Sequence, residues 1–197
     1  MAVPVKTSRP YNSAGRKQRA EQKQQAILNS ARSLFPTSGY ARTTIAAVAA
    51  DAGVSAETIY KTFGSKAGLV RDIYNHGLLG SGHVPAEQRS DIMQSGATDG
   101  RDLLLALAMF TAEIGPLAAP IRILIWDAAA ADEEMARLLV EIDQDRHERM
   151  LHNARHLVER ELLGEGITAE FAADVMWFYT DPDAYENLVL GRDWTAR

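Results

Sequence analysis

Residues 43–66 run TTIAAVAADAGVSAETIYKTFGSK, and their punctuation decides the fold. Thr43 or Thr44 supplies a side-chain oxygen able to cap a helix carrying Ile45, Val48, Ala49 and Ala52. Gly53 ends that helix. Ser55 caps a second, with Ile59, Tyr60 and Phe63 at its apolar positions, and Gly64 ends it in turn. Ser65 then caps a longer helix bearing Leu69, Val70, Ile73 and Tyr74. Two short helices joined by a tight turn across residues 43–63 form a helix-turn-helix unit. Ile45, Val48, Val54, Ile59 and Phe63 can pack the pair together, while the small residues Ala49, Ala52 and Gly53 permit a close crossing.

On the N-terminal side, Ala20, Ile27, Leu28, Ala31, Leu34 and Phe35 recur at helical spacing, which predicts a helix from Arg16. Pro36 and Gly39 predict its end near Phe35. Residues 1–15 are poor in apolar side chains and are expected to be a flexible basic arm. On the C-terminal side, glycines and Pro85 mark residues 80–100 as a connection with room for a short helix over 86–94. Leu103, Leu107, Phe110 and Ile114 make one stripe, which Pro116 and Pro120 are expected to separate from a helix over 121–130. Asp132 can cap a long segment reaching Leu163, and Thr168 one reaching Tyr179. Asp181 and Pro182 open a last helix that ends at Gly191. Neither a period-two strand pattern nor an internal repeat is present, so the expected fold is all-α.

The charge is unevenly placed. Residues 1–75 carry eleven basic and four acidic side chains, a net of +7, whereas the rest carries ten and twenty-two, a net of −12. A basic head on an acidic body fits a polyanion that touches the head alone; the bland alternative is a chance imbalance on two solvated surfaces. The composition, 46% hydrophobic and 24% charged over 197 residues, is that of a globular chain able to bury a sizeable core. There is no cysteine, which excludes disulfides, thiolate metal sites and cysteine nucleophiles. No apolar run is expected to reach the length of a membrane span, and the basic N-terminal residues are not followed by the apolar core of a secretory signal. The resulting expectation is a cytoplasmic protein with no membrane partner.

A protein that reads duplex DNA needs a helix held rigidly at the major groove and donors that fix it against phosphates. The second helix of the unit can present Ser55, Ala56, Glu57 and Thr58 from its first turn. Tyr60, Lys61 and Lys66 follow with a hydroxyl and two ammonium groups for the backbone. Ala56 can touch a thymine methyl and Glu57 can accept from cytosine, although Glu57 fits plain solvent exposure equally naturally and a packed core ring is the lesser reading of Tyr60.

These residues carry a specific resemblance. Ile27-Leu28, Ala31, Leu34-Phe35, Gly39-Tyr40, Thr43-Thr44, Ile45-Ala46, Ala52-Gly53-Val54-Ser55, Thr58, Tyr60, Phe63, Lys66 and Leu69 resemble, in identity and spacing, the DNA-binding domain of the TetR family of bacterial transcriptional repressors. The resemblance covers roughly residues 20–75. It departs at Pro36, where the family usually continues its first helix, and at Thr62, where it often has histidine. It implies a homodimer that sets one recognition helix per subunit into successive major grooves of a palindromic double-stranded DNA operator. It assigns DNA contact to Thr43, Thr44, Ser55, Ala56, Glu57, Thr58, Tyr60, Lys61 and Lys66. Lys6, Arg9, Arg16, Lys17 and Arg19 can follow the DNA backbone or enter a minor groove, or belong to a solvated tail.

The implied organisation is an arm (1–18), a DNA-binding domain (19–80) and a C-terminal regulatory, ligand-binding and dimerisation domain (81–197). The resemblance also implies an unidentified small-molecule effector that spreads the two heads, and a further helix after Trp194. Candidate pocket residues are Met109, Phe110, Trp126, Met135, Trp177 and Tyr179, although ordinary core packing explains each of them better than ligand contact. The dimer is expected to use the helices near 133–163 and 168–180. The first of these is polar in its middle, and pairs such as Asp145–Arg149 and Arg155–Glu159 can stabilise a solvated face.

His152 and His156, four apart with Glu148 one turn before, have the spacing of metal ligands, although a solvated face explains them better. No catalytic constellation, phosphate loop or zinc signature is found, and neither cofactor nor metal is expected. A helical metal-dependent enzyme and an effector-independent DNA-binding protein are the alternatives.

Overall fold

The computed structural model describes residues 13–80 and 84–195. It is all-α, with no strand among the described residues. The elements are α1 (Ser13–Ser38), α2 (Ile45–Ala52), α3 (Ala56–Phe63), α4 (Lys66–Leu78), α5 (Ala86–Gly96), α6 (Gly100–Ala129), α7 (Glu133–Glu159), α8 (Ala169–Tyr179) and α9 (Pro182–Tyr185). A π-helical segment, Glu186–Leu190, continues α9.

Side-chain caps fix most of the starts. Thr44, Ser55, Ser65, Asp99, Asp132 and Thr168 each stand in extended geometry and accept a backbone N–H three residues on. Of the two threonines able to cap α2, Thr44 is the cap. Gly53, in left-handed geometry at φ 66°, ends α2 and sends its own N–H back to the carbonyls of Ala49 and Ala50.

The helix-turn-helix packs with α1 and α4 around Ile27, Phe35, Val48, Ile59, Leu69 and Ile73, which have essentially no exposure. Burying side chains of this size contributes about 1.5–3 kcal/mol each before entropy is counted. The same core continues without a break into Ile121 and Ile125 of α6 and Met135 and Leu138 of α7. Residues on both sides of the expected 80/81 boundary therefore share one interior. A second cluster joins Leu103 and Leu107 of α6, Met150, Ala154 and Leu157 of α7, and Ala173 and Met176 of α8.

Several sequence expectations need correction. Residues 13–18, assigned to the arm, begin α1; residues 1–12, with Lys6 and Arg9, lie outside the described residues. Pro36 does not shorten α1, which runs to Ser38 before Gly39 turns it at φ 78°. A proline in the last turn forfeits only one ladder bond. Pro116 and Pro120 likewise do not split α6, which packs on both α4 and α7 and is continuous over 30 residues. Its two apolar stripes therefore merge. By length and composition α6 could cross a membrane, contrary to the sequence expectation. α6 nonetheless holds Glu113 against Arg89 and Arg122 against Asp143. α7 ends at Glu159, four residues short of Leu163.

Candidate nucleic-acid interface

The local sequence makes α3 amphipathic with two distinct faces. Ile59 and Phe63 turn into the core, while Glu57, Tyr60 and Lys61, at i, i+3 and i+4, share the outward face. Tyr60 is 52% exposed, so its ring is presented rather than packed away.

Ser55 anchors the start of α3. Its Oγ accepts the Thr58 N–H at 3.2 Å and lies 2.9 Å from the Thr58 hydroxyl. These two hydroxyls thus spend themselves on the cap. Ala56 is half-buried at the same end. Thr62, in the position where the resembling family often has histidine, donates its hydroxyl to the Thr58 carbonyl at 2.8 Å and stays outside the core.

Thr43 and Thr44 part company. Thr44 is exposed and its Oγ1 accepts the Ala47 N–H at 3.1 Å. Thr43 is 3% exposed, and its hydroxyl donates to the carbonyls of Gly39 (2.9 Å) and Leu34 (3.4 Å). It ties α1 to the start of α2. Arg42, which sequence reasoning passed over, is exposed beside Thr44, with its Nε donating to the Ser38 carbonyl at 2.8 Å. A basic residue next to the capping threonines was the signal available.

Lys66 is also committed internally. Its Nζ donates to the Tyr40 carbonyl at 2.5 Å and stands 4.0 Å from the centre of the Tyr40 ring. Burial lowers its pKa, against the opposing pull of Asp132. The Tyr40 phenol is pushed up to about 12 by burial, by the nearby Asp132 and Glu134 carboxylates, and by its hydrogen bond to Asp132. Since Asp132 is the cap of α7, this cluster ties the helix-turn-helix to the C-terminal body.

Arg16, Lys17, Arg19 and Lys23 lie on the exposed N-terminal half of α1, with Lys17 3.9 Å from Glu21. The positive field of the head therefore comes from α1, Arg42 and Lys61, a combination suited to phosphates.

The candidate pocket residues do not gather around one cavity. Met109, Trp126 and Tyr179 are exposed, and Met135 is sealed in the shared core. Phe110 sits under the Arg89 guanidinium at 4.8 Å, and Trp177 under that of Arg146 at 4.6 Å. A depression of ≈ 660 Å³ is lined by Asp91, Ile92, Gln94, Ser95, His152, His156 and Arg160 instead. Here His152 Nε2 lies 3.4 Å from Asp91, whose carboxyl is held below its usual range by the Arg149 hydrogen bond. Arg149 is thus paired across to α5 rather than along its own helix to Asp145. Among the described residues, no group of three or more histidine or acidic side chains is arranged to hold a metal ion.

Comparison with known proteins is consistent with this geometry. Residues 27–73 match the family described as bacterial regulatory proteins, tetR family. No curated protein matches the sequence. Among solved structures, NalD, the secondary repressor of the MexAB-OprM multidrug efflux pump in Pseudomonas aeruginosa, is 21% identical with a TM-score of 0.59, covering 90% of this chain and all of that one. SmeT in complex with triclosan is 19% identical with a TM-score of 0.68, covering 87% and 81%. The transcriptional regulator FadR from Bacillus subtilis, in complex with stearoyl-CoA, is 15% identical with a TM-score of 0.66, covering 87% and 90%.

Proposed function

We propose that this chain, whose residues 27–73 belong to the tetR family of bacterial regulatory proteins, is a sequence-specific transcriptional repressor that works as a homodimer in the cytoplasm and is released from its operator by a small molecule. The observation that carries the reading is α3. A helix whose inner face is locked by Ile59 and Phe63, and whose outer face offers Glu57, Tyr60 and Lys61, is what major-groove recognition requires. Glu57 and Tyr60 are the base-facing candidates, with Lys61 and Arg42 for phosphate.

Dimerisation is supported by Phe171, Val175, Phe178 and Tyr179, large side chains that α8 leaves exposed. A two-fold axis through that face would pair two heads and select a palindrome. Ligand response is supported by the fold shared with SmeT and FadR, whose structures hold triclosan and stearoyl-CoA. The test is selection of retained sequences from random duplex DNA. A palindromic consensus with half-sites about one helical turn or a multiple apart is expected. Retention without a consensus, or no retention at low salt, refutes the reading.

A further inference from the structure

The surface that α8 turns outward is apolar except at its middle. Ala172, Ala173 and Met176 face the core. Phe171, Val175 and Phe178 occupy the opposite stripe, and the Asp174 carboxylate stands among them, 71% exposed. His147 reaches across to it from α7. Its Nε2 lies 2.8 Å from Asp174 Oδ1, and its ring stands edge-on to Trp177 at 6.3 Å. The His147 side chain is itself 42% exposed. A histidine–carboxylate pair therefore sits midway along the face that the dimer reading uses.

Most other charges near His147 are matched within the subunit. On α7, Asp143, one turn before, is held by Arg122 of α6, and the adjacent Arg146 by Asp181 after α8. Arg149 and His152 turn to Asp91 of α5, and Glu141 to Arg71 of α4. On the turns of α7 and α8 around the pair, the exposed charges are Asp145, Glu148 and Arg155 on α7 and Glu170 on α8. With Asp174 that is an acidic surface, and His147 is where a positive charge can be added to it.

We propose that this pair makes the association of two copies proton-dependent: a second copy seats on α8 when His147 is protonated. The occupant is a second copy because the stripe is symmetric about its own middle. A two-fold axis there sets α8 antiparallel to itself, brings Phe171 against the partner's Phe178, and places both Asp174 carboxylates beside the axis. The exposed parts of Phe171, Val175, Phe178 and Tyr179 supply roughly half of the ~800 Å² that each partner of a stable interface buries. Val158 and Ile167, exposed on either side of the α7–α8 turn, extend the patch beyond Phe171.

Closing this interface strips water from both carboxylates. With neutral imidazoles, two like charges are buried close together without a counter-charge; with imidazolium, each carboxylate is paired and the pair is neutral. Histidine is the side chain that ordinarily changes charge between about pH 5 and 8. Association gains from the added proton, so it is strongest on the acid side of that range and is lost as pH rises through it. The inference rests on the dimer reading above and adds its regulation.

The test is sedimentation equilibrium of the full chain from about pH 5 to about pH 8, the span of histidine titration, at constant ionic strength. Circular dichroism at each pH establishes that the subunits stay folded. The dimer dissociation constant of the parent is expected to rise by about tenfold or more across the span, because up to two protons are taken up per dimer. Asp174→Asn keeps the shape and removes the charge, so its constant should be flat and, at the alkaline end, lower than the parent's. His147→Gln leaves the carboxylates without a counter-charge and should be flat and weak. A role limited to packing would shift the level of the constant and keep its slope.

A parent constant that ignores pH, an Asp174→Asn dimer that keeps the parent's slope, or a Phe178→Glu variant that still dimerises with that slope would each overturn the proposal. A pH-independent dimer removes this inference alone. A chain that stays monomeric at every pH removes the dimer reading as well.

Discussion

Lys61 and Lys66 lie five residues apart, and the structure gives them opposite fates, so substituting each separates DNA contact from folding. Lys61 is exposed on the outer face of α3, while Lys66 is bonded to the Tyr40 carbonyl and stacked over its ring. Removing one phosphate contact lowers the slope of log K against log salt by about 0.9, hence by about 1.8 for the two subunits of a dimer. At 0.1 M salt that corresponds to roughly a sixtyfold loss of operator affinity from counterion release. Lys61→Ala should therefore flatten the salt dependence by nearly two units and leave the melting temperature within error of the parent, as expected for an exposed side chain.

Lys66→Met should do the reverse. It removes a hydrogen bond and a cation–π contact, each worth about 1 kcal/mol, so the melting temperature falls by several degrees while the salt slope of the folded protein stays put. The assay is fluorescence anisotropy on the selected operator over a salt series, with thermal melts on the same samples. An unchanged slope in Lys61→Ala, or a flattened slope without destabilisation in Lys66→Met, would show that the assignment of the two lysines is inverted.

Further expectations concern individual elements. The raised Tyr40 phenol favours the folded state while neutral, so its contribution is complete below the ordinary tyrosine range near pH 10 and is lost as pH climbs through about 12. Tyr40→Phe should remove that part of the alkaline unfolding transition, followed by circular dichroism. Pro36→Ala, on an exposed turn of α1, should stabilise the protein by about 1–3 kcal/mol, because it restores a ladder bond and relieves the proline clash; urea denaturation reads the sign. Gly53→Ala should destabilise by about 1–2 kcal/mol purely through its left-handed backbone, since nothing lies within 4 Å of the added methyl. Phe178→Glu should convert the proposed dimer to monomer in sedimentation and abolish tight operator binding together with it.

Much of the head was legible in the sequence because its signals are local. Thr44, Ser55 and Ser65 cap helices within three residues of themselves, and Gly53 turns the chain by its own backbone freedom. The spacing of Ile59 and Phe63 fixes which face of α3 is buried, and so which residues are left outside. These are properties of a short stretch of chain and survive any placement of the rest.

What the tertiary structure alone decided depends on partners distant in sequence. Whether Pro116 and Pro120 break α6 turns on the helices packed along it, and α4 and α7 hold it straight enough to continue. Thr43 and Lys66 have side chains as fit for phosphate as for a carbonyl, and the carbonyls of Gly39 and Tyr40 claim them. The candidate pocket residues were chosen as bulky groups on amphipathic helices, a property that core, surface and cavity positions share, and they scatter accordingly. The buried arginine pairs are invisible in sequence for the same reason. Arg122, Asp143, Arg146 and Asp181 look like ordinary solvated charges until α4, α6, α7 and the turn after α8 close around them, and only that closure sets each guanidinium on its carboxylate.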